Sequence, residues 1–239
     1  MAAQVKIRFP LGVKLSLIIS GVLLLSFSVI TLLMVRLVGA DVRLTAENNN
    51  WTLNRWSANE GETILSGLKA KALLLIRSLD SRGAANPGDL IDLFYRLNPE
   101  ISGVAFAGSG ETPGGLFLNN RFGIEDPLFN PSRISAWFAS REEEVRRAAS
   151  GETLLFNGFP YFKSPLLVML FPLPRQEGFS FAGAAGIFFS AAGLSASVLK
   201  GGDGGNTGFI VNGAGEVLAH EDRGLVQAGA KLDGLPIVR

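Results

Sequence analysis

The chain has 239 residues, 22 Lys+Arg against 21 Asp+Glu, and is 47% apolar and 18% charged. A formal charge of +1 lacks the electrostatic footprint of a nucleic-acid binder, and the absence of Cys excludes disulfides, Cys-ligated metal sites and thiol nucleophiles. A single His, His220, also excludes multi-histidine metal sites and a His-based triad elsewhere; a membrane-anchored binding module, an enzyme built on carboxylates and an anchored scaffold remain.

Leu15 to Val35 is a run of 21 residues without charge or proline. At about 1.5 Å per residue a helix of that length spans roughly 31 Å, the thickness of a bilayer's hydrocarbon core. The sequence therefore predicts a transmembrane helix over 15–35. Lys6, Arg8 and Lys14 precede it with no acidic neighbour, whereas Arg36, Asp41, Arg43 and Glu47 follow it with mixed sign. The positive-inside rule then puts residues 1–14 in the cytoplasm and 36–239 outside an inner membrane. That outer part holds 19 basic and 21 acidic residues, a net of −2. A cleaved signal peptide ending at Val38-Gly39-Ala40 is the rival reading. Its apolar core would exceed the usual ~7–15 residues, and Arg36 lies between core and cleavage site, so an uncleaved anchor is expected. Ser16 and Ser20 have the small-xxx-small spacing that brings helices together, or are ordinary lipid-facing serines.

Residues 36–80 read as a long stalk helix, with Val42, Leu44, Trp51, Leu53, Trp56, Ile64, Leu65, Leu68, Ala72, Leu73 and Leu75 at helical spacing. Asn48 to Asn50 and Gly61 weaken it and allow a bend or break. If continuous with the membrane helix, such a rod passes a small distal movement into the bilayer. Trp51 and Trp56 fit a helix–helix seam in a homodimer or packing onto a sheet equally well. Ser81-Arg82-Gly83 ends the stalk, Asn86 caps a short helix that starts at Pro87, and Pro99 stops it.

Ile101 to Ala107 reads as a strand, Gly108 to Gly115 as a turn and Leu116 to Leu118 as the return strand. Asn130-Pro131 opens a helix with Ile134, Trp137, Phe138 and Val145 on one side and Gly151 as its stop. Thr153 to Phe156 is a short strand. Leu166 to Phe171 is uniformly apolar, as expected of a strand buried on both faces. Pro172 to Gly178 is a turn, Phe179 to Phe189 a long strand, and Ser190 begins a helix to Leu199. Gly201 to Gly205 is a linker, and Gly208 to Val211 pairs with Glu216 to Ala219 across Asn212-Gly213. The order predicts an α+β fold, not the βαβ alternation of nucleotide-binding folds.

This order, with the segment Gly208-Phe-Ile-Val-Asn-Gly-Ala-Gly-Glu-Val-Leu-Ala-His-Glu-Asp222, resembles the double-Cache family of PAS-like extracytoplasmic sensor modules in bacterial transmembrane receptors. Glu221 stands where the family pattern has Pro. The resemblance implies one N-terminal transmembrane helix, a long stalk helix, a membrane-distal Cache subdomain over 81–200 with an antiparallel sheet and covering helices, and the start of a membrane-proximal subdomain over 201–239. About 40 residues do not bury an independent core, so an N-terminal fragment of a longer receptor is expected. Its output would be a chemotaxis domain, histidine kinase, phosphatase or nucleotide cyclase, with a lean toward a cyclase from the look of Leu154 to Phe171. The Arg followed closely by Trp-Tyr of amino-acid-binding members is missing, because Arg133 and Trp137 stand too far apart.

A ligand pocket needs an apolar wall and a few placed polar groups. Asn119, Asn120 and Arg121 after one strand, with Tyr161 and Lys163 before the buried strand, offer amides, a guanidinium, a phenol and an ammonium suited to a small anion; ordinary surface loops are the alternative. His220 beside Glu221 and Asp222 reads as a structural contact. Of Glu142, Glu143 and Glu144, which could suggest paired carboxylates, the first two stand four residues before Arg146 and Arg147, as surface ion pairs would. Gly108 to Gly115 lacks the Lys-Ser/Thr of a phosphate loop. The sequence thus predicts a non-catalytic sensor without cofactor or metal. Its partners would be a small-molecule ligand, the lipid bilayer and a second copy, with no nucleic acid.

Overall fold

The helical periodicity of the first third yields one uninterrupted helix, α1 (Leu11–Asp80). The computed structural model describes residues 10–80, 87–107, 113–119, 128–174, 183–199 and 208–234, and the chain falls into two units, Met1–Arg55 and Trp56–Arg239. In the first unit every large apolar side chain from Leu11 to Leu44 is exposed. A helix apolar on all sides suits lipid and not water, and α1 is long and apolar enough to cross a membrane. Ser28 and Thr31 donate to the carbonyls of Leu24 and Phe27 within the helix, so neither hydroxyl is stranded in an apolar setting. The break allowed at Asn48 to Asn50 and Gly61 does not occur.

The second unit is built on a five-stranded antiparallel sheet. Its strands are β1 (Ile101–Ala107), β2 (Pro113–Leu118), β3 (Leu154–Asn157), β4 (Leu166–Pro172) and β5 (Ala184–Ser190), in the spatial order β2-β1-β5-β4-β3. The uniformly apolar β4 is buried on both faces, as expected. Leu167, Met169 and Phe171 join Ile187 and Phe189 of β5 against Leu68, Ala72, Leu75 and Ile76 of α1 and Tyr95 of α2 (Pro87–Leu97). Leu166, Val168 and Leu170 join Phe188 on the other face against Ile134, Trp137 and Phe138 of α3 (Pro131–Ala139) and Ala148 of α4 (Glu142–Ala149). The Tyr95 hydroxyl donates to the Phe117 carbonyl, tying α2 to the edge strand β2, and burial pushes its pKa up.

The single helix expected over 131–151 is two. Ser140 caps α3 and its hydroxyl donates to the Trp137 carbonyl, while Arg141 leaves the helical region at φ −129°, ψ 37°. A side chain that satisfies the last-turn carbonyl competes with continuation of the helix. Two short helices were not anticipated: α5 (Phe159–Phe162), and α7 (Arg223–Ala228), capped by Asp222 and ended by Gly229 at φ +60°. Ser190 closes β5 instead of opening α6 (Ala191–Leu199). Of the turn expected over 108–115, residues 113–115 belong to the strand β2, which starts earlier than Leu116; residues 108–112, the linker 201–205, the Ser81-to-Gly83 stop, the Asn86 cap and residues 179–182 of the long strand lie outside the described residues.

The hairpin of β6 (Phe209–Val211) and β7 (Val217–His220) forms as expected, but not on a two-residue Asn-Gly turn. The loop spans Asn212 to Glu216. The Asn212 carboxamide oxygen accepts from the Ala214 and Glu216 amides, and the positive φ (+76°) falls on Gly215. An Asx side chain that bridges its own turn favours this longer loop. The hairpin packs on α6 and against β3.

Candidate functional site

The face of the sheet covered by α3 and α4 carries the densest aromatic packing of the second unit. Asn130 sets the register of α3: its side-chain oxygen accepts from the Arg133 amide at 3.0 Å, and Pro131 begins the helix. Arg133, Trp137 and Arg141 then follow at four-residue intervals. Trp137 is fully buried, edge-on to Phe138, Phe156 and Phe188 at 5.3–6.0 Å between centroids. Arg133 lies 5.1 Å over the ring of Tyr161 and donates through Nη2 to the Tyr161 carbonyl. Arg141 lies 4.9 Å over Trp137 and 5.3 Å over Phe156.

Three donors in this layer are buried without an acceptor among the described residues: Nε of Arg133, Nε1 of Trp137 and Nε of Arg141. Buried N–H groups are normally paired, and an unpaired one costs roughly 1–3 kcal/mol. Two guanidinium edges and an indole N–H held against aromatic walls suit an acceptor-rich, anionic partner.

The residues expected from the sequence are distributed unevenly about this layer. Tyr161, on α5, is half-buried and part of it. Lys163 closes α5 in the left-handed region at φ 59°, its amide donating to the Phe159 carbonyl at 2.8 Å, and is exposed. Asn119 directly follows β2, the sheet edge opposite β3, where it is buried and donates to the Ile101 carbonyl at 3.3 Å. Asn120 and Arg121 lie outside the described residues. His220 accepts the Asp222 amide at 2.8 Å and stacks on Phe209. Arg146 pairs with Glu142 at 3.9 Å with both side chains largely exposed, whereas Arg147 takes Glu152 at 2.6 Å and not Glu143. Among the described residues no group of three or more His, Asp and Glu forms a metal cluster.

Sequence reasoning missed Arg133, Trp137 and Arg141 as a set. Their i, i+4, i+8 spacing was visible, but it takes the fold to show that the stripe faces the sheet. It also missed a second cluster. Asn157, at the end of β3 and 3% exposed, donates to the carbonyls of Val217 (3.0 Å) and Val226 (2.6 Å), and accepts the Phe159 amide at 2.9 Å. Asn212 donates to the Leu155 carbonyl at 2.9 Å and to Glu216 Oε2 at 3.0 Å. Burial raises the pKa of Glu216, with the Asn157 amide, the Asn212 side chain, Arg141 and Lys231 working against that rise.

No protein-family model and no curated protein matches the chain. Solved structures do. The ligand-binding domain of the Pseudomonas aeruginosa PAO1 amino acid chemoreceptor PctC, in complex with GABA, is 19% identical, with 76% of each chain covered and a TM-score of 0.47. That of the Pseudomonas fluorescens chemoreceptor CtaA, in complex with L-leucine, is 17% identical over 79% of this chain and 76% of that one, with a TM-score of 0.44. An extracellular ligand binding receptor from Desulfohalobium retbaense is 10% identical over 78% of this chain, with a TM-score of 0.51; the match spans 33% of that receptor. This last likeness shows the fold: mixed helix and antiparallel sheet, as in extracellular ligand-binding sensor modules.

Proposed function

We propose that the chain is the extracytoplasmic ligand-sensing part of a bacterial transmembrane signal-transduction receptor. Residues 15–35 anchor it in the inner membrane, with 1–14 cytoplasmic. Residues 36–80 form the stalk, 81–200 the membrane-distal sensor and 201–239 the start of a membrane-proximal one. The chain acts as a homodimer, is itself non-catalytic, and passes ligand binding through its membrane helix to a cytoplasmic output. No described residue bears on the chemistry of that output, and the cyclase expectation stays outside the proposal.

One observation carries this reading. One layer holds buried, acceptor-less N–H groups of Arg133 and Trp137 on α3 and of Arg141 just beyond its end, with Arg133 over Tyr161. The ligand is a small carboxylate that accepts from Arg133 and Trp137 and lies against the Tyr161 ring. Of the five residues expected from the sequence, Tyr161 enters this site. A ligand shifts the receptor's state only by binding one packing of this layer better than another.

The test is calorimetric titration of the full chain, in detergent, with linear mono- and dicarboxylates and α-amino acids. At least one should bind, and Arg133→Gln should weaken it by about 10- to 100-fold, the range for loss of a charge-assisted hydrogen bond. If no compound binds, or the variant binds as tightly as the parent, the reading fails.

A further inference from the structure

Arg133 and Asn157 hold the same short helix from opposite ends. Arg133 grips α5 through the Tyr161 carbonyl. Asn157 grips it through the Phe159 amide, at 2.9 Å. The Asn157 side chain has two further hydrogens, and both go to the C-terminal segment: one to Val217 of β7, one to Val226 of α7. A single buried carboxamide thus joins three elements, β7, α7 and the turn beneath the candidate ligand site. Its capacity is nearly filled, since an amide offers two donors and one carbonyl oxygen, so it cannot follow one partner without straining another.

We propose that Asn157 is a positioning residue that couples occupancy of the Arg133 site to the β6–β7 hairpin and α7. This rests on the reading of Arg133 as a carboxylate-binding group. A carboxylate at Nε and the Tyr161 carbonyl at Nη2 are held by one planar guanidinium, so a ligand that re-aims that plane changes the hold on Tyr161. When the ligand re-aims it, the restraint on α5 at Tyr161 shifts while the one at Asn157 stays. The change in the turn is then felt at the Val217 and Val226 carbonyls. The Asn212 bond to the Leu155 carbonyl holds the loop end of the hairpin to β3, so the response falls on the Asn157 side. Coupling of this kind needs a physical element that both sites bias, and α5 with Asn157 is that element.

Hydrogen exchange on the full chain in detergent tests this without a known ligand. Arg133→Gln should speed exchange of the amides in 217–220 and 230–232 by roughly tenfold. In an Asn157→Ala background the same change should add less than about twofold, because residues acting through one link are non-additive. Asn157→Ser, which retains an acceptor for the Phe159 amide, replaces the alanine variant if that one does not fold. A merely structural Asn157 would give additive effects. Unchanged hairpin exchange in Arg133→Gln, or full additivity, overturns the coupling. The same measurement with a carboxylate that binds should alter exchange in the hairpin of the parent and not of the Asn157 variant. Binding without any effect on the hairpin overturns the coupling alone. Non-additive exchange in a chain that binds no carboxylate overturns the ligand reading alone.

Discussion

Glu216 shows how a neighbour's demands override a side chain's own preference. Its carboxylate is drawn into the junction between β3 and the hairpin by the Asn212 side chain, and burial raises its pKa there. A folded-state pKa above the unfolded value means that the native state takes up the proton first. The contribution of Glu216 to stability is therefore full below its unfolded pKa and is lost as pH rises through the raised folded value. The chain should gain stability from this group when acidified from neutrality toward about pH 4.5. Glu216→Gln should abolish that gain while leaving the stability at low pH unchanged. Denaturant midpoints at several pH values measure it, and an unchanged pH slope in the variant would contradict the assignment. By contrast only one of the two pairs that the spacing of Glu142 and Glu143 foretold is formed: Glu142 pairs with Arg146 at the surface, the kind worth little, while Arg147 takes Glu152.

At the scale of elements, the sequence was most legible where one force dominated. The apolar run of β4 has no alternative to burial on both faces, and the stripe of α1 from Ile64 to Ile76 has no alternative to the sheet. It was least legible where short polar contacts decide. Ser140 and Arg141 divide one apparent helix into two, and Asn212 converts an Asn-Gly signal into a five-residue loop; neither leaves a periodic trace. Gly61 was misread for the same reason. Its helix propensity argued for a break, yet packing of α1 against α6 outweighs a penalty of about 1 kcal/mol. It is buried, and an added Cβ would lie 3.6 Å from Leu194 Cδ1, ordinary contact distance. Gly61→Ala should therefore stabilise the chain by about 0.5–1 kcal/mol. A higher denaturant midpoint at unchanged slope would show it; a lower one would mean that the α1–α6 contact has no room for a methyl group.

At the scale of the whole molecule the open question is which side of a membrane each part occupies. The site was legible only in part at this scale: Tyr161 was within reach of a local reading, but its partner Arg133 lies 28 residues earlier in the chain and meets it only through the strand order of the sheet. Orientation, in contrast, rests on the sequence alone. Lys6, Arg8 and Lys14 lie on one side of the apolar run and mixed charges on the other, which favours a cytoplasmic N-terminus. Because the chain has no Cys, a single introduced thiol reports its own location without background. Ser66→Cys, at an exposed position on α1, should react with a membrane-impermeant maleimide in intact spheroplasts. Ala3→Cys should react only after lysis, and Ser28→Cys, within the apolar run, should be protected in both. The reverse pattern for residues 3 and 66 would invert the proposed topology and place the Arg133 layer in the cytoplasm. Loss of the residue 3 thiol from the mature chain would instead identify the apolar run as a cleaved signal. Only the expected pattern leaves the proposed carboxylate site facing the surroundings, where a ligand reaches it without crossing the bilayer.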